Sequence, residues 1–204
     1  MKKNFTNPHL IQKKSEFFSC EFSPKISHSS ATPLACTSSN RDDFHDMTST
    51  LQPGDKAPDF TAVVVGGSYG EAQSISLSEL LGKTVILYFY PKDDTPGCTT
   101  QACEVRDKHH EILAKDAVIF GVSVDSPKSH ARFFAKHSLP FPLISDESRE
   151  IVEAYGVWVE KSMYGKKYMG TERTTFVIDP AGKIQTVLRK IAPAAHMEAV
   201  LKSL

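Results

Sequence analysis

The chain reads as an α/β protein with a central, mostly parallel sheet and helices on both faces. Two apolar runs, residues 84–90 (TVILYFY) and 117–124 (AVIFGVSV), contain almost no polar side chain and are rich in β-branched and aromatic types, as strands buried on both faces require. Each run leads into a segment of helical period. The order strand, helix, strand, helix, then a hairpin and a last helix, fits a sheet covered on both sides.

Taken in order, the folded part starts near Leu51, with Pro53-Gly54-Asp55 and Pro58 as turn punctuation and residues 60–65 (FTAVVV) as the first strand. Gly66 to Gly70 is a loop. Residues 76–82 read as a short helical turn, with Ser76 or Ser78 as N-cap and Gly82 as its stop. After the strand at 84–90 comes the loop P-K-D-D-T-P-G, and a helix from about Cys98 to Leu113 whose apolar face is Ala102, Val105, His109, Ile112 and Leu113. After the strand at 117–124, Asp125-Ser126 caps a helix with Pro127 at its first position; it ends near His137 and buries Ala131, Phe134 and Ala135. Residues 140–144 are extended, and Ser145-Asp146 opens a helix over 147–155 that Gly156 ends. Residues 157–172 form a loop or ribbon, and 174–178 with 183–188 form a hairpin about Asp179-Pro180-Ala181-Gly182. Pro193 opens the terminal helix, with Met197, Val200, Leu201 and Leu204 on one face.

Residues 1–48 differ from the rest. They are serine-rich, carry scattered prolines and have no sustained period, so they read as a disordered extension to a domain spanning 49–204. They lack the apolar core of a secretory signal. Three readings stay open: synthesis that begins at Met47, a transit peptide, or a genuine appendage. A start near Met47 implies a cytoplasmic protein, and a transit peptide an organelle. Cys20 and Cys36 read as unpaired bystanders.

Composition excludes several classes of function. Lys+Arg and Asp+Glu are balanced at 24 each, so no net field draws the chain to nucleic acid or to a charged membrane surface. No apolar run approaches the about 18 residues of a membrane helix. Four cysteines are too few and too irregular for a secreted disulfide scaffold.

The chemistry concentrates at Cys98 and Cys103. A thiol attacks as its thiolate. Cys98 sits where a buried strand hands over to a helix, so unpaired amides and the helix dipole favour an anion there. Thr95 offers a hydroxyl, Pro91 and Pro96 stiffen and shield the loop, and a cation from elsewhere in the fold is needed to complete the site. On a continuous helix, α-carbons five residues apart lie roughly 8.6 Å from each other, whereas a disulfide needs less than about 7 Å. The two cysteines can therefore bond only if the helix start unwinds, which suits a redox cycle better than a static bridge. Competing readings are a structural cysteine at a helix start and a zinc site. Zinc needs four ligands, and no second cysteine cluster supplies them. A Cys-x-x-Cys motif of dithiol exchange is absent.

The string Y-F-Y-P-K-D-D-T-P-G-C-T-T-Q-A-C-E-V-R-D strongly resembles the peroxiredoxins, in particular the bacterioferritin-comigratory-protein or peroxiredoxin Q branch. The resemblance spans about residues 51–204 and includes G-D-K-A-P-D-F, V-S-V-D, F-P-L-I-S-D and E-R-T-T-F-V-I-D. It implies a thioredoxin-like fold with a central mixed β-sheet flanked by helices. It implies thioredoxin-dependent reduction of hydrogen peroxide and organic hydroperoxides. Cys98 would be the peroxidatic cysteine, which becomes a sulfenic acid, and Cys103 the resolving cysteine of an intramolecular disulfide. Thr95 would orient the peroxide, Pro91 would shield the sulfur and Arg173 would be the distant cation. Gln101 matches a position that supports the arginine. Thioredoxin or a similar dithiol protein would be the reductant. No metal or organic cofactor and no nucleic-acid or membrane partner is implied, and a monomer is expected.

Blander readings accompany these. Arg173 taken alone reads as a surface charge. Trp158, Tyr164 and Tyr168 read as loop packing, Lys161, Lys166 and Lys167 as a solvated cluster, and His130, His137 and His196 as exposed helical residues. The alternative functions are a non-enzymatic thiol sensor or relay and a protein-disulfide oxidoreductase.

Overall fold

The computed structural model describes residues 50–70, 72–163 and 165–204. The expectations for residues 1–48, including Cys20 and Cys36, and for Tyr164 lie outside the described residues.

The strands are β1 (Thr61–Val65), β2 (Gln73–Ser76), β3 (Thr84–Phe89), β4 (Ala117–Ser123), β5 (Leu143–Ser145), β6 (Trp158–Met163), β7 (Lys166–Thr171), β8 (Thr174–Ile178) and β9 (Ile184–Arg189). The helices are α1 (Leu77–Leu80), α2 (Pro96–Leu113), α3 (Pro127–His137), α4 (Glu150–Ala154) and α5 (His196–Ser203), with 3-10 turns at Gly67–Tyr69 and Pro193–Ala195. Seven strands form one sheet in the order β2-β1-β5-β4-β3-β8-β9, and β6 and β7 make a separate ribbon.

The sheet is mixed and flanked by helices, but it is not mostly parallel. Only β3–β4 and β4–β5 run parallel; β1 joins β5 antiparallel, and the β8–β9 hairpin joins β3 antiparallel. Helical crossovers are confined to the middle of the chain, and hairpins extend both edges.

β3 is buried on both faces, as its composition requires. Val85, Leu87 and Phe89 enter one core with Leu77 of α1 and Ile151 and Val152 of α4. Ile86, Tyr88 and the following Tyr90 enter the other, with Val105 and Ile112 of α2, Phe133 of α3, and Met197 and Val200 of α5. Each fully buried aliphatic or Phe side chain there contributes roughly 1.5–3 kcal/mol of transfer free energy. Gly121 of β4 pairs with Tyr88. A Cβ at Gly121 would stand 2.7 Å from the Tyr88 hydroxyl, so only glycine lets that ring lie across the sheet.

Several local expectations need correction. β2 is a strand that its short Q-S-I-S sequence did not announce. α2 starts at Pro96, two residues before Cys98, and Leu113 at its end is 54% exposed. α3 buries His130 and Phe133, while Ala135 is exposed. The helix expected over 147–155 shrinks to α4. Asp146 acts at its start from a distance, its Oδ2 accepting from the Val152 amide at 2.8 Å. Of the three histidines expected to be exposed, His130 and His196 are fully buried and His137 is partly buried.

Candidate active site

β3 ends at Phe89 against the parallel neighbour β4, and the chain then turns through Pro91–Thr95 into α2. This is the carboxyl end of a parallel strand, where α/β sheets place their reactive groups. Thr95 is the N-cap, in an extended conformation, and Pro96 is the first helical residue. Proline fits there because its fixed φ is helical and its missing N–H would have had no partner. The first intrahelical bond is Thr99 N–H to Thr95 O at 2.8 Å, so the amides of Gly97 and Cys98 precede the ladder and point out of the helix start.

Cys98 is 3% exposed. Its sulfur lies 3.4 Å from Nη2 of Arg173, in the short link between β7 and β8. Nη1 of the same guanidinium donates to Oε1 of Gln101, one turn along α2. Gln101 is fully buried, and its Nε2 has no partner among the described residues. The structure thus brings together Cys98, Arg173 and Gln101. Arg173 is no loose surface charge.

Thr95 and Pro91 stand differently. The Thr95 hydroxyl donates to the carbonyl of Lys92 at 3.1 Å, so its proton is committed to the loop and its lone pairs are what it can offer a substrate. Pro91 is partly buried in the loop. Cys103 is partly buried and free, on the same unbroken helix as Cys98.

Two buried clusters that single-residue reading missed flank the cysteine. In the first, Asp93 Oδ1 accepts from the Tyr90 hydroxyl at 2.7 Å, and its Oδ2 accepts from the Ser129 hydroxyl at 2.7 Å and faces His130 Nδ1 at 2.9 Å. Burial pushes the Asp93 carboxyl up, but the bonds from His130, Tyr90 and Ser129 outweigh it and hold it below its ordinary range. In the second, His196 Nε2 meets the Thr175 hydroxyl at 2.7 Å. Burial, and then the Arg173 charge, push His196 down to about 4. Burial is the largest cause that pushes the Tyr88 phenol well up, so it stays neutral. The signal for both histidines was helical spacing: His130 leads Phe133, Phe134 and His137, and His196 leads Val200 on the buried face of α5.

Arg173 also lines an open groove of about 550 Å³ with Lys161, Tyr168, Lys190 and Pro193. Lys161 is not simply solvated. Its ammonium donates to Thr171 O at 2.5 Å, and partial burial is the largest cause of its lowered pKa. Tyr168 stands 45% exposed on the ribbon instead of packing, and Trp158 lies under the Arg149 guanidinium at 5.1 Å.

The sequence pattern of the AhpC/TSA family matches residues 53–187. The chain is 46% identical to Peroxiredoxin Bcp of Bacillus subtilis over 155 residues, covering 76% of this chain and 96% of that one. It is 40% identical to Peroxiredoxin Bcp of Escherichia coli K12 over 151 residues, covering 74% and 94%. Among solved structures, the bacterioferritin comigratory protein of Xanthomonas campestris, studied for alkyl peroxide reduction, superposes with a TM-score of 0.65 at 38% identity over 71% of this chain and 88% of that one. A peroxiredoxin Q mutant from Xylella fastidiosa gives 0.69 at 34% identity over 76% and 95%. The mixed sheet is therefore that of the thioredoxin-like peroxiredoxins, and the chain belongs to the AhpC/TSA family, in its Bcp/peroxiredoxin Q branch.

Proposed function

We propose that this thiol peroxidase works through Cys98 as its peroxidatic and Cys103 as its resolving cysteine, with thioredoxin or a similar dithiol protein as reductant and hydrogen peroxide and organic hydroperoxides as substrates. The observation that carries the reading is the Arg173 guanidinium, 3.4 Å from the buried Cys98 sulfur and held in place by Gln101. A fixed planar donor set beside the sulfur favours charge at the sulfur and at the departing oxygen, where it develops as the O–O bond breaks. The free amides of the α2 start add to it.

In the first step the Cys98 thiolate attacks the nearer peroxide oxygen. An S–O bond forms, the O–O bond breaks, and the alcohol or water leaves after taking a proton. The Thr95 hydroxyl, its own proton given to Lys92 O, accepts from the peroxide O–H and so sets its approach. In the second step the Cys103 thiolate attacks the sulfenic sulfur; S–S forms, S–O breaks and water leaves. α2 is one helix from Pro96 to Leu113, so this step requires its first turns to unwind. A dithiol then reduces the disulfide. A monomeric, cytoplasmic enzyme is part of the proposal, checked by sedimentation and cell fractionation.

Cys98→Ser is expected to abolish peroxide turnover with thioredoxin as donor. Cys103→Ser is expected to consume one equivalent of peroxide and stall. Intact-mass measurement after one equivalent should show loss of two hydrogens in the wild type and gain of one oxygen in Cys103→Ser. Full turnover by Cys98→Ser, or an unchanged wild-type mass, would overturn the assignment.

A further inference from the structure

Cys98 hangs between two anchors. On the C-terminal side, Gln101, Ala102 and Val105 of α2 are buried. On the N-terminal side the last buried side chain is Asp93. Between Asp93 and Gln101 only Cys98 itself is buried; Asp94, Pro96 and Thr100 are exposed. An opening of the first turns of α2 therefore starts at Asp93.

That anchor is built with unusual completeness. Three side chains, Tyr90, Ser129 and His130, meet the two carboxylate oxygens of Asp93, and its amide donates to Asp125 Oδ2 at 2.8 Å. Asp125 is fixed in turn by the Ser123 hydroxyl at 2.8 Å. The second ring nitrogen of His130 lies 3.1 Å from the carbonyl of Ile144, in the middle of β5. Each ring nitrogen of His130 therefore has an oxygen partner, Asp93 on one side and the Ile144 carbonyl on the other. The loop that leads into α2 and Cys98 is thus bolted to α3, β4 and β5, none of which takes part in the proposed unwinding.

The geometry points to the Asp93–His130 pair as a positioning device that holds the start of α2 wound. It thereby sets how the sulfenic form of Cys98 divides between disulfide and over-oxidation. This rests on the assignment of Cys98 and Cys103 above. In the wound form the sulfenate sulfur stays beside Arg173 and meets a second peroxide: a second S–O bond forms, an O–O bond breaks, and a sulfinic acid and an alcohol or water result. In the unwound form Cys103 reaches it first. A weaker anchor lets the opening spread past Asp93 into Lys92 and raises the unwound population. The same loss disturbs the Lys92 carbonyl that orients Thr95, so the first oxidation slows. The pair touches neither sulfur nor substrate. It acts through the loop.

The test is a competition at rising peroxide concentration, quenched and read by intact mass and peptide mapping, which separates Cys98 and Cys103 from Cys20 and Cys36. Asp93→Asn puts an amide donor among donors and is expected to raise the peroxide concentration for half sulfinic acid by about tenfold and to slow the first oxidation. Tyr90→Phe and Ser129→Ala each remove one donor and should shift it about threefold in the same direction, in protein that folds even where Asp93→Asn does not. Two controls separate positioning from general loosening. Lys136→Ala breaks the exposed pair with Asp94, and Ile184→Val weakens the opposite core; both should leave the partition within about twofold. An unchanged partition in the Tyr90 and Ser129 variants, a shift toward sulfinic acid, or an equal shift in Ile184→Val overturns the proposal. A wild type that forms neither disulfide nor sulfinic acid at these two cysteines overturns the assignment beneath it as well.

Discussion

In the proposed mechanism Arg173 is the residue on which the chemistry turns, because one guanidinium serves two partners at once. Nη2 faces the Cys98 sulfur at 3.4 Å while Nη1 is held by Gln101. A lysine keeps the positive charge but presents a single flexible ammonium, which reaches the sulfur or the amide and not both. Removing a fixed donor aimed at developing charge costs on the order of a hundredfold in rate. Arg173→Lys is therefore expected to lower the second-order rate of Cys98 oxidation by about 10–100-fold, measured by rapid mixing, with an unchanged melting temperature. A variant within twofold of wild type would show that charge alone suffices. The resemblance pointed to this residue where local reading did not. Arg173 is 75 positions from Cys98 and follows the exposed β7, so its own neighbourhood gave it the look of a surface charge. His130 and His196 are legible in the opposite way: neither looks buried by itself, but the spacing to Phe133 or Val200 puts each on a buried face.

At the scale of elements, the proposed cycle makes two demands of α2: wound, it aims Cys98 at Arg173; unwound, it lets Cys103 arrive. Gly97, the second residue of α2, bears on that balance. A Cβ there would meet Arg173 Nη2 at 3.5 Å and Pro193 Cγ at 3.6 Å, both ordinary contacts. Alanine thus fits and favours the wound form by about 0.5–1 kcal/mol. Gly97→Ala is expected to slow disulfide formation about threefold after the sulfenic acid has formed. Quenched-flow mass measurement follows the two steps separately, and an unchanged second step would mean that unwinding does not limit it. The elements themselves were unevenly legible. β3 and β4 were plain because burial on both faces leaves no polar residue to confuse the pattern. β2 escaped because only Ile75 of its four residues is buried. The helix α4 starts later than the expected 147 because Asp146 is not a local cap: its carboxylate spans six residues to Val152.

For the whole molecule, the second buried histidine ties the last helix to the sheet behind Cys98. His196 starts α5, its ring bonds Thr175 of β8 and lies 5.7 Å from the Tyr88 ring of β3. The molecule folds with this ring neutral, because burial and the Arg173 charge bring it down from 6.5 to about 4. A group that binds its proton more weakly folded than unfolded makes stability fall with acid. Above pH 6.5 neither state holds the proton; between about 6.5 and 4 the unfolded chain takes it and the folded chain refuses; below about 4 both hold it. The loss across that window is roughly 3 kcal/mol, at 1.36 kcal/mol per unit. Partly buried His109, also lowered by burial first, adds a drift of the same sign. Asp146 works the other way: burial raises its carboxyl, so acid favours the folded form through it. Asp93, held below its ordinary 3.8, contributes its acid loss only beneath that value, under the histidine window. Urea unfolding from pH 7 to pH 4 is therefore expected to show a falling midpoint in the wild type, and a flatter one in His196→Gln, whose side-chain amide keeps a partner for Thr175. Equal slopes in the two proteins would mean that His196 takes up its proton without unfolding, and that the core behind Cys98 is open to water.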